Sequence, residues 1–160
     1  MQPTRVFIHG LESSSRGNKG VFFRGRYPDM ILGDFGGPFP QRMKTLEELL
    51  AGRDNLILVG SSYGGLMAAV YACLHEERVK KLVLLAPALH LPEFMPHLGR
   101  SLRMPVAVFH GIHDAVVPLE AVREIAGKSF PDCSFTTLDD EHPLHRTFEA
   151  LDWDSLLSPE

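Results

Sequence analysis

Runs of strand length alternate along this chain with stretches patterned for helices. The runs fall at residues 5–9, 30–32, 55–59, 81–85, 105–110 and 134–138, most of them rich in Val, Ile, Leu and Phe. Between and after them, helical patterns occupy about residues 17–24, 42–51, 63–76, 119–130 and 146–157. In the second of these, Met43, Leu46, Leu49 and Leu50 form one apolar stripe at helical spacing. Glycine and proline mark the joins, as in Gly33-Asp34-Phe35-Gly36-Gly37-Pro38. Strands without polar alternation, separated by helices, predict an α/β fold: a mostly parallel sheet of about six strands with helices on both faces. No repeat, linker or low-complexity tract interrupts the pattern, so residues 1–160 are expected to form one domain. The connection at residues 87–104 is the only one long enough to cover a site, yet too short for a multi-helix lid. Its Leu91, Phe94 and Met95 are candidate substrate contacts, with ordinary core packing the competing reading. The site is therefore expected to be open.

Composition narrows the class. With 44% hydrophobic and 22% charged residues, the chain reads as an ordinary globular domain. A net charge of −4 argues against a nucleic-acid face, which needs a basic stripe. Arg16, Lys19, Arg24 and Arg26 are a local exception without intervening acids. They read as a solvated loop first and as a bias toward anionic substrates second. Cys73 and Cys133 suit reduced thiols better than a disulfide. There is neither an export-signal pattern nor an apolar span approaching 18 residues, so no membrane association and a cytoplasmic location are expected.

The chemistry concentrates at Gly60-Ser61-Ser62-Tyr63-Gly64-Gly65. This segment follows an apolar run and opens a stretch of helix formers, the context in which G-x-S-x-G means a nucleophile elbow. Only Ser62 has glycines at both flanking positions; Ser61 would be flanked by Val59 and Tyr63. A serine hydroxyl is a weak nucleophile that needs a base, and the base needs a carboxylate to orient it. Asp114 lies in the loop just past the 105–110 strand, and His142 just past the 134–138 strand. In a parallel sheet those loops share one edge with Ser62. His145 competes with His142 but lies nearer the final helix, while Asp139 and Asp140 are alternative carboxylate partners that, on the same short loop, are expected to face solvent. An oxyanion hole needs two backbone donors. Tyr63, after the nucleophile, and Leu11, in the loop His9-Gly10-Leu11 with His9 as support, are the candidates. His110 and His113 lack the spacing of a zinc site, and the Gly33–Gly37 cluster lacks a dinucleotide fingerprint, so neither metal nor cofactor is expected.

These motifs, spread over essentially the whole chain, make it similar to a small, cap-less member of the α/β-hydrolase fold superfamily. Its first loop, His9-Gly10-Leu11-Glu12-Ser13-Ser14, resembles that of compact esterases. The resemblance implies Ser62 as nucleophile, Asp114 as acid, His142 as base, and Leu11 and Tyr63 as oxyanion donors. It implies a serine hydrolase acting on a small ester or thioester. A peptidase, a perhydrolase, or a protein-binding use of the fold are the alternatives. The fold's first two strands and its lid have no counterpart here, and the oligomeric state is left open.

Overall fold

The structure is a computed structural model and describes residues 2–159. Strands β1 (Thr4–Ile8), β2 (Ile31–Leu32), β3 (Leu56–Ser61), β4 (Val79–Leu85), β5 (Val106–Gly111) and β6 (Cys133–Leu138) form one sheet. Their order is β2-β1-β3-β4-β5-β6, and every pairing is parallel. Helices α1 (Asn18–Arg26), α2 (Phe39–Leu49), α3 (Tyr63–Leu74), α4 (Leu119–Ser129) and α5 (Trp153–Leu156) connect and cover the strands. The α/β architecture predicted from the pattern is the one observed.

Strand alternation explains why two helical layers form. Val6 and Ile8 of β1, Leu56 and Leu58 of β3, and Leu82 and Leu84 of β4 share one core with Leu46 of α2, Leu66 of α3 and Val122 of α4. The intervening Phe7, Ile57, Val59, Val83 and Leu85 enter a second core with Phe23 of α1 and Trp153 of α5. With both faces covered, the central strands have no polar side to show. α3 is buried from Tyr63 to Cys73 because it lies between the sheet and other elements on the first face.

Two boundaries differ from the sequence expectation for local reasons. α2 starts at Phe39, earlier than residue 42, with Pro40 in the first turn, where a missing N–H costs nothing. The expected helix at 146–157 is broken into a 3₁₀ turn (Phe148–Ala150) and the four-residue α5. Leu151 between them is extended (φ −65°, ψ 151°), and Asp152 caps the new start by accepting the Ser155 N–H at 3.2 Å.

Chain order also places a crevice. The chain passes from β1 outward to β2, then returns across to β3 on the other side of β1. The C-terminal ends of β1 and β3 therefore diverge at a topological switch point, where α/β sheets leave room for ligands. Residues 87–104 do not cover that crevice. Their 3₁₀ turn (Pro92–His97) sends Phe94 fully into the core beside α3, together with Leu89 and Leu102. Among the described residues, no helix is long and apolar enough to cross a membrane.

Candidate active site

β3 runs directly into Ser62, whose backbone lies at φ 57°, ψ −114°. Such a conformation is costly for a residue with a Cβ and persists only when its surroundings hold it. Here the Ser62 N–H donates to the Leu85 carbonyl at 2.8 Å, and its carbonyl accepts from Leu66 at 3.2 Å and Ala88 at 3.0 Å. The flanking glycines permit the crossing of strand and helix. A Cβ on Gly60 would collide with the Gly64 carbonyl, and one on Gly64 would collide with the Ile8 carbonyl.

The loop after β5 brings in Asp114. Its Oδ1 accepts the amide N–H groups of Val116 and Val117, both at 2.8 Å. Its Oδ2 lies 2.7 Å from His142 Nδ1, with the aspartate side chain fully buried. A carboxylate oxygen only accepts, so Nδ1 carries the proton, and Nε2 is left with its lone pair toward Ser62 Oγ at 2.9 Å. Ser62, His142 and Asp114 are thus one hydrogen-bonded chain. His145, the competing histidine, is solvent-exposed and borders the same cavity, but it bonds neither Ser62 nor Asp114.

A second histidine touches the same carboxylate. His110 is fully buried, with Nε2 3.0 Å from the Val117 carbonyl and 3.3 Å from Asp114 Oδ2. Both partners accept, so Nε2 bears the hydrogen. Nδ1 is buried, with no hydrogen-bond partner among the described residues. Burial pushes this imidazole below its ordinary 6.5, keeping it neutral.

Asp140 departs from expectation. Asp139 does face solvent and pairs with His113 at 3.0 Å, but Asp140 is buried. Its Oδ1 accepts from the Glu141 amide at 2.8 Å. Oδ2 accepts from the Arg146 amide at 3.0 Å, the Thr147 amide at 2.9 Å and the Thr147 hydroxyl at 2.8 Å. Burial alone would raise this carboxyl, yet bonds from Thr147, Glu141 and Arg146 hold it below 3.8. The carboxylate turns the backbone around His142. Across the loop, Lys19 Nζ donates to the Pro143 carbonyl at 2.6 Å.

The loop after β1 closes the other side. His9 donates from Nδ1 to the Gly10 carbonyl at 2.7 Å and accepts the Phe35 N–H on Nε2 at 3.0 Å. Asp34 accepts the Ser15 amide at 2.8 Å and the Ser15 hydroxyl at 3.0 Å; the first of these bonds leads in lowering its pKa. A Cβ on Gly10 would stand 3.4 Å from Ser62 Cβ and 4.0 Å from the Tyr63 nitrogen, so the loop lies against the elbow. Among the described residues, the amide N–H groups of Leu11 and Tyr63 have no hydrogen-bond acceptor.

A cavity of about 550 Å³ opens beside Ser62 and His142, walled by Leu11, Lys19, Val116 and Pro143 among others. Leu91, Phe94 and Met95 do not border it. Phe94 is core, Leu91 packs half-buried against that core, and Met95 projects into solvent. The substrate contacts expected at these three positions are therefore not where the cavity is. Its walls come from α1 and from the loops after β1, β5 and β6. The supporting roles of Asp140, His110 and Asp34 carried no sequence signal beyond residue type, whereas Lys19 belongs to the basic cluster that the sequence singles out.

The comparisons agree with the architecture. A sequence model of the α/β hydrolase fold matches residues 37–101. Mouse alpha/beta hydrolase domain-containing protein 10 superposes with a TM-score of 0.77 at 20% identity, covering 99% of this chain and 92% of its own. Est1E from Butyrivibrio proteoclasticus gives 0.77 at 16% identity, over 97% and 85% of the two chains. The Paleococcus ferrophilus monoacylglycerol lipase gives 0.75 at 16%, over 98% and 94%. No curated protein sequence matches the chain. The chain has the α/β-hydrolase fold, and esterases and lipases are among its structural neighbours.

Proposed function

We propose that this chain is a serine hydrolase cleaving a carboxylic ester or thioester through an acyl-enzyme on Ser62. The observation that carries the reading is the unbroken chain Ser62 Oγ, His142 Nε2, His142 Nδ1 and Asp114 Oδ2, at 2.9 and 2.7 Å. Ser62 Oγ attacks the substrate carbonyl carbon as its proton passes to His142 Nε2. The negative oxygen that forms is met by the amide N–H groups of Leu11 and Tyr63, the second at the start of α3, where the helix dipole adds positive potential. Collapse expels the alcohol or thiol, which takes the proton from His142. Water then attacks the acyl-enzyme and gives its proton to His142, and collapse breaks the bond to Ser62 Oγ, which takes the proton back from His142 as the acid leaves. Asp114 keeps the imidazole in the one tautomer that can accept from Ser62 throughout. Water is the only co-reactant. The names of the neighbours favour an ester over a peptide: Est1E has been seen with ferulic acid bound, and another neighbour is a monoacylglycerol lipase.

A fluorophosphonate should label the folded protein once, and mass spectrometry should map the adduct to Ser62. Ser62→Ala should abolish labelling with little change in stability. His142→Ala should remove turnover of p-nitrophenyl acetate, and His145→Ala should keep it. An adduct on Ser61, or activity lost with His145 and kept without His142, would overturn the assignment. Folded protein that takes no label would favour a binding role for the cleft.

A further inference from the structure

The cavity beside Ser62 does not end at His142. A second cavity, of about 510 Å³, lies between α1 and the 143–149 segment, and the two share Asn18, Lys19, Pro143 and His145 as walls. Together they form one groove, with Ser62 and His142 at one end and Val21, Phe22 and Phe148 at the other. Lys19 stands at the junction and contributes to both halves.

The state of Lys19 is unusual for a lysine in a wall. The residue is only partly exposed, and its ammonium donates to the Pro143 carbonyl at 2.6 Å and lies 5.3 Å from the centre of the Phe148 ring. An ammonium has three hydrogens, and the described residues supply a hydrogen-bond acceptor for only one. No carboxylate within 4.0 Å pairs with it among the described residues. Glu12 and Glu149 border the groove, but both are solvent-exposed. Asp140, whose charge does reach Lys19, already accepts four hydrogen bonds. Partial desolvation lowers the Lys19 pKa, with the Asp140 charge opposing it. The other partly withdrawn lysine, Lys81, differs: it lies outside the groove, with two carbonyls at 3.3 Å each.

We infer that Lys19 is an anion-recognising group for the substrate, and that the substrate is an ester or thioester with a carboxylate or similar anion several atoms from the scissile carbonyl. The apolar walls near Ser62, Leu11 and Val116, take the segment next to the reacting carbonyl. The ammonium then receives the charged end, and the second cavity accommodates whatever extends beyond it. One hydrogen bond to Pro143 keeps the cation in place, and its two remaining donors suit a carboxylate. The sequence cluster that contains Lys19 divides accordingly: Arg26 pairs with Asp154 on the surface, and Lys19 alone of the four borders the groove.

This inference rests on the hydrolase reading, and the experiment separates the two. Mono-p-nitrophenyl esters of pimelate and suberate are compared with their methyl-capped neutral twins, chain lengths at which the free carboxylate does not readily attack its own ester. 4-Acetoxybenzoate and its methyl ester place the charge on the alcohol side instead. The readout is the ratio of kcat/KM for the charged to the neutral member of each pair, which cancels general damage to the site. In wild type the ratio should reach about tenfold in at least one series, as a charge-assisted hydrogen bond provides, and should shrink with added salt. Lys19→Met should bring the ratio to about 1, and Lys19→Arg should keep most of it. If Lys19 only anchors Pro143, Lys19→Met slows both members alike and leaves the ratio alone, which overturns the inference and spares the hydrolase reading. Ratios near 1 in both wild-type series do the same. No turnover of any ester overturns both.

Discussion

Asp114 is the residue through which the site's geometry passes. Two amides hold one of its oxygens, and two histidines share the other. Asp114→Asn presents an N–H where His142 Nδ1 already carries one, so the imidazole must turn to the wrong tautomer. Turnover should fall on the order of 10⁴-fold, as in other triads with this change. A variant that keeps a tenth of the wild-type rate would mean that Asp114 does not orient the base. His110, whose Nε2 lies 3.3 Å from Asp114 Oδ2, is expected to act through Asp114 as a positioning residue. His110→Phe should lower kcat severalfold with KM nearly held, because it removes the Nε2–H that lies 3.3 Å from Asp114 Oδ2. His110→Gln, which returns a donor near Nε2, should recover much of it; equal losses in both variants would indicate packing alone. At this scale, Ser62, Asp114 and His142 were legible because each follows a strand in the expected chain order. His110 was not, because a histidine inside a strand looks the same whether it faces the core or a carboxylate.

At the scale of elements, the final segment shows how a short helix is held. Four residues cannot sustain α5 on propensity, since nucleation is costly. Trp153 anchors it, edge-on to Phe23 at 4.9 Å, beside Phe148 at 5.2 Å, with its indole N–H on the Phe148 carbonyl at 2.9 Å. Trp153→Ala should destabilise the protein by about 3–5 kcal/mol, read as a lower urea midpoint. A loss below about 1 kcal/mol would mean the cluster collapses around the gap. The strands and the first four helices were visible in the hydrophobic pattern to within a few residues. The 146–157 stretch misled because its apolar spacing suits a helix, while the Asp152 cap and an extended Leu151 restart the chain there. Residues 87–104 misled differently. Pattern identifies Phe94 as apolar without saying whether it meets a substrate or α3.

For the whole molecule, stability and site integrity respond together to acid. Asp34 braces the loop after β1, and Asp140 the loop after β6; both are held below the ordinary aspartate value of 3.8. A carboxyl lowered in the folded state stabilises the fold fully above its unfolded pKa. That contribution is lost as pH falls through this value toward the folded pKa. Stability should therefore decline as pH drops below about 4, with both loops near Ser62 losing their braces. Asp140→Asn should be less stable than wild type at pH 7, and the gap should narrow at lower pH. Denaturant melts at pH 7, 4 and 3 check this; a gap that stays constant would assign the Asp140 contribution to shape rather than charge.

What the sequence by itself determined is the part that depends on near neighbours in the chain. Apolar runs of strand length, helical stripes, and Gly60 and Gly64 around Ser62 are local constraints, and they sufficed for the α/β class and the elbow. Tertiary structure decided everything that needs distant segments to meet. Parallel strands put the loops after β1, β3, β5 and β6 on one edge, but only the order β2-β1-β3-β4-β5-β6 makes them near neighbours along it. Only that meeting sets His142 between Ser62 and Asp114, buries Asp140, and places Lys19 in a groove with residues 124 positions away. The physical reason is burial: a side chain's charge, tautomer and partners depend on which remote surfaces exclude water from it, and no local pattern records those.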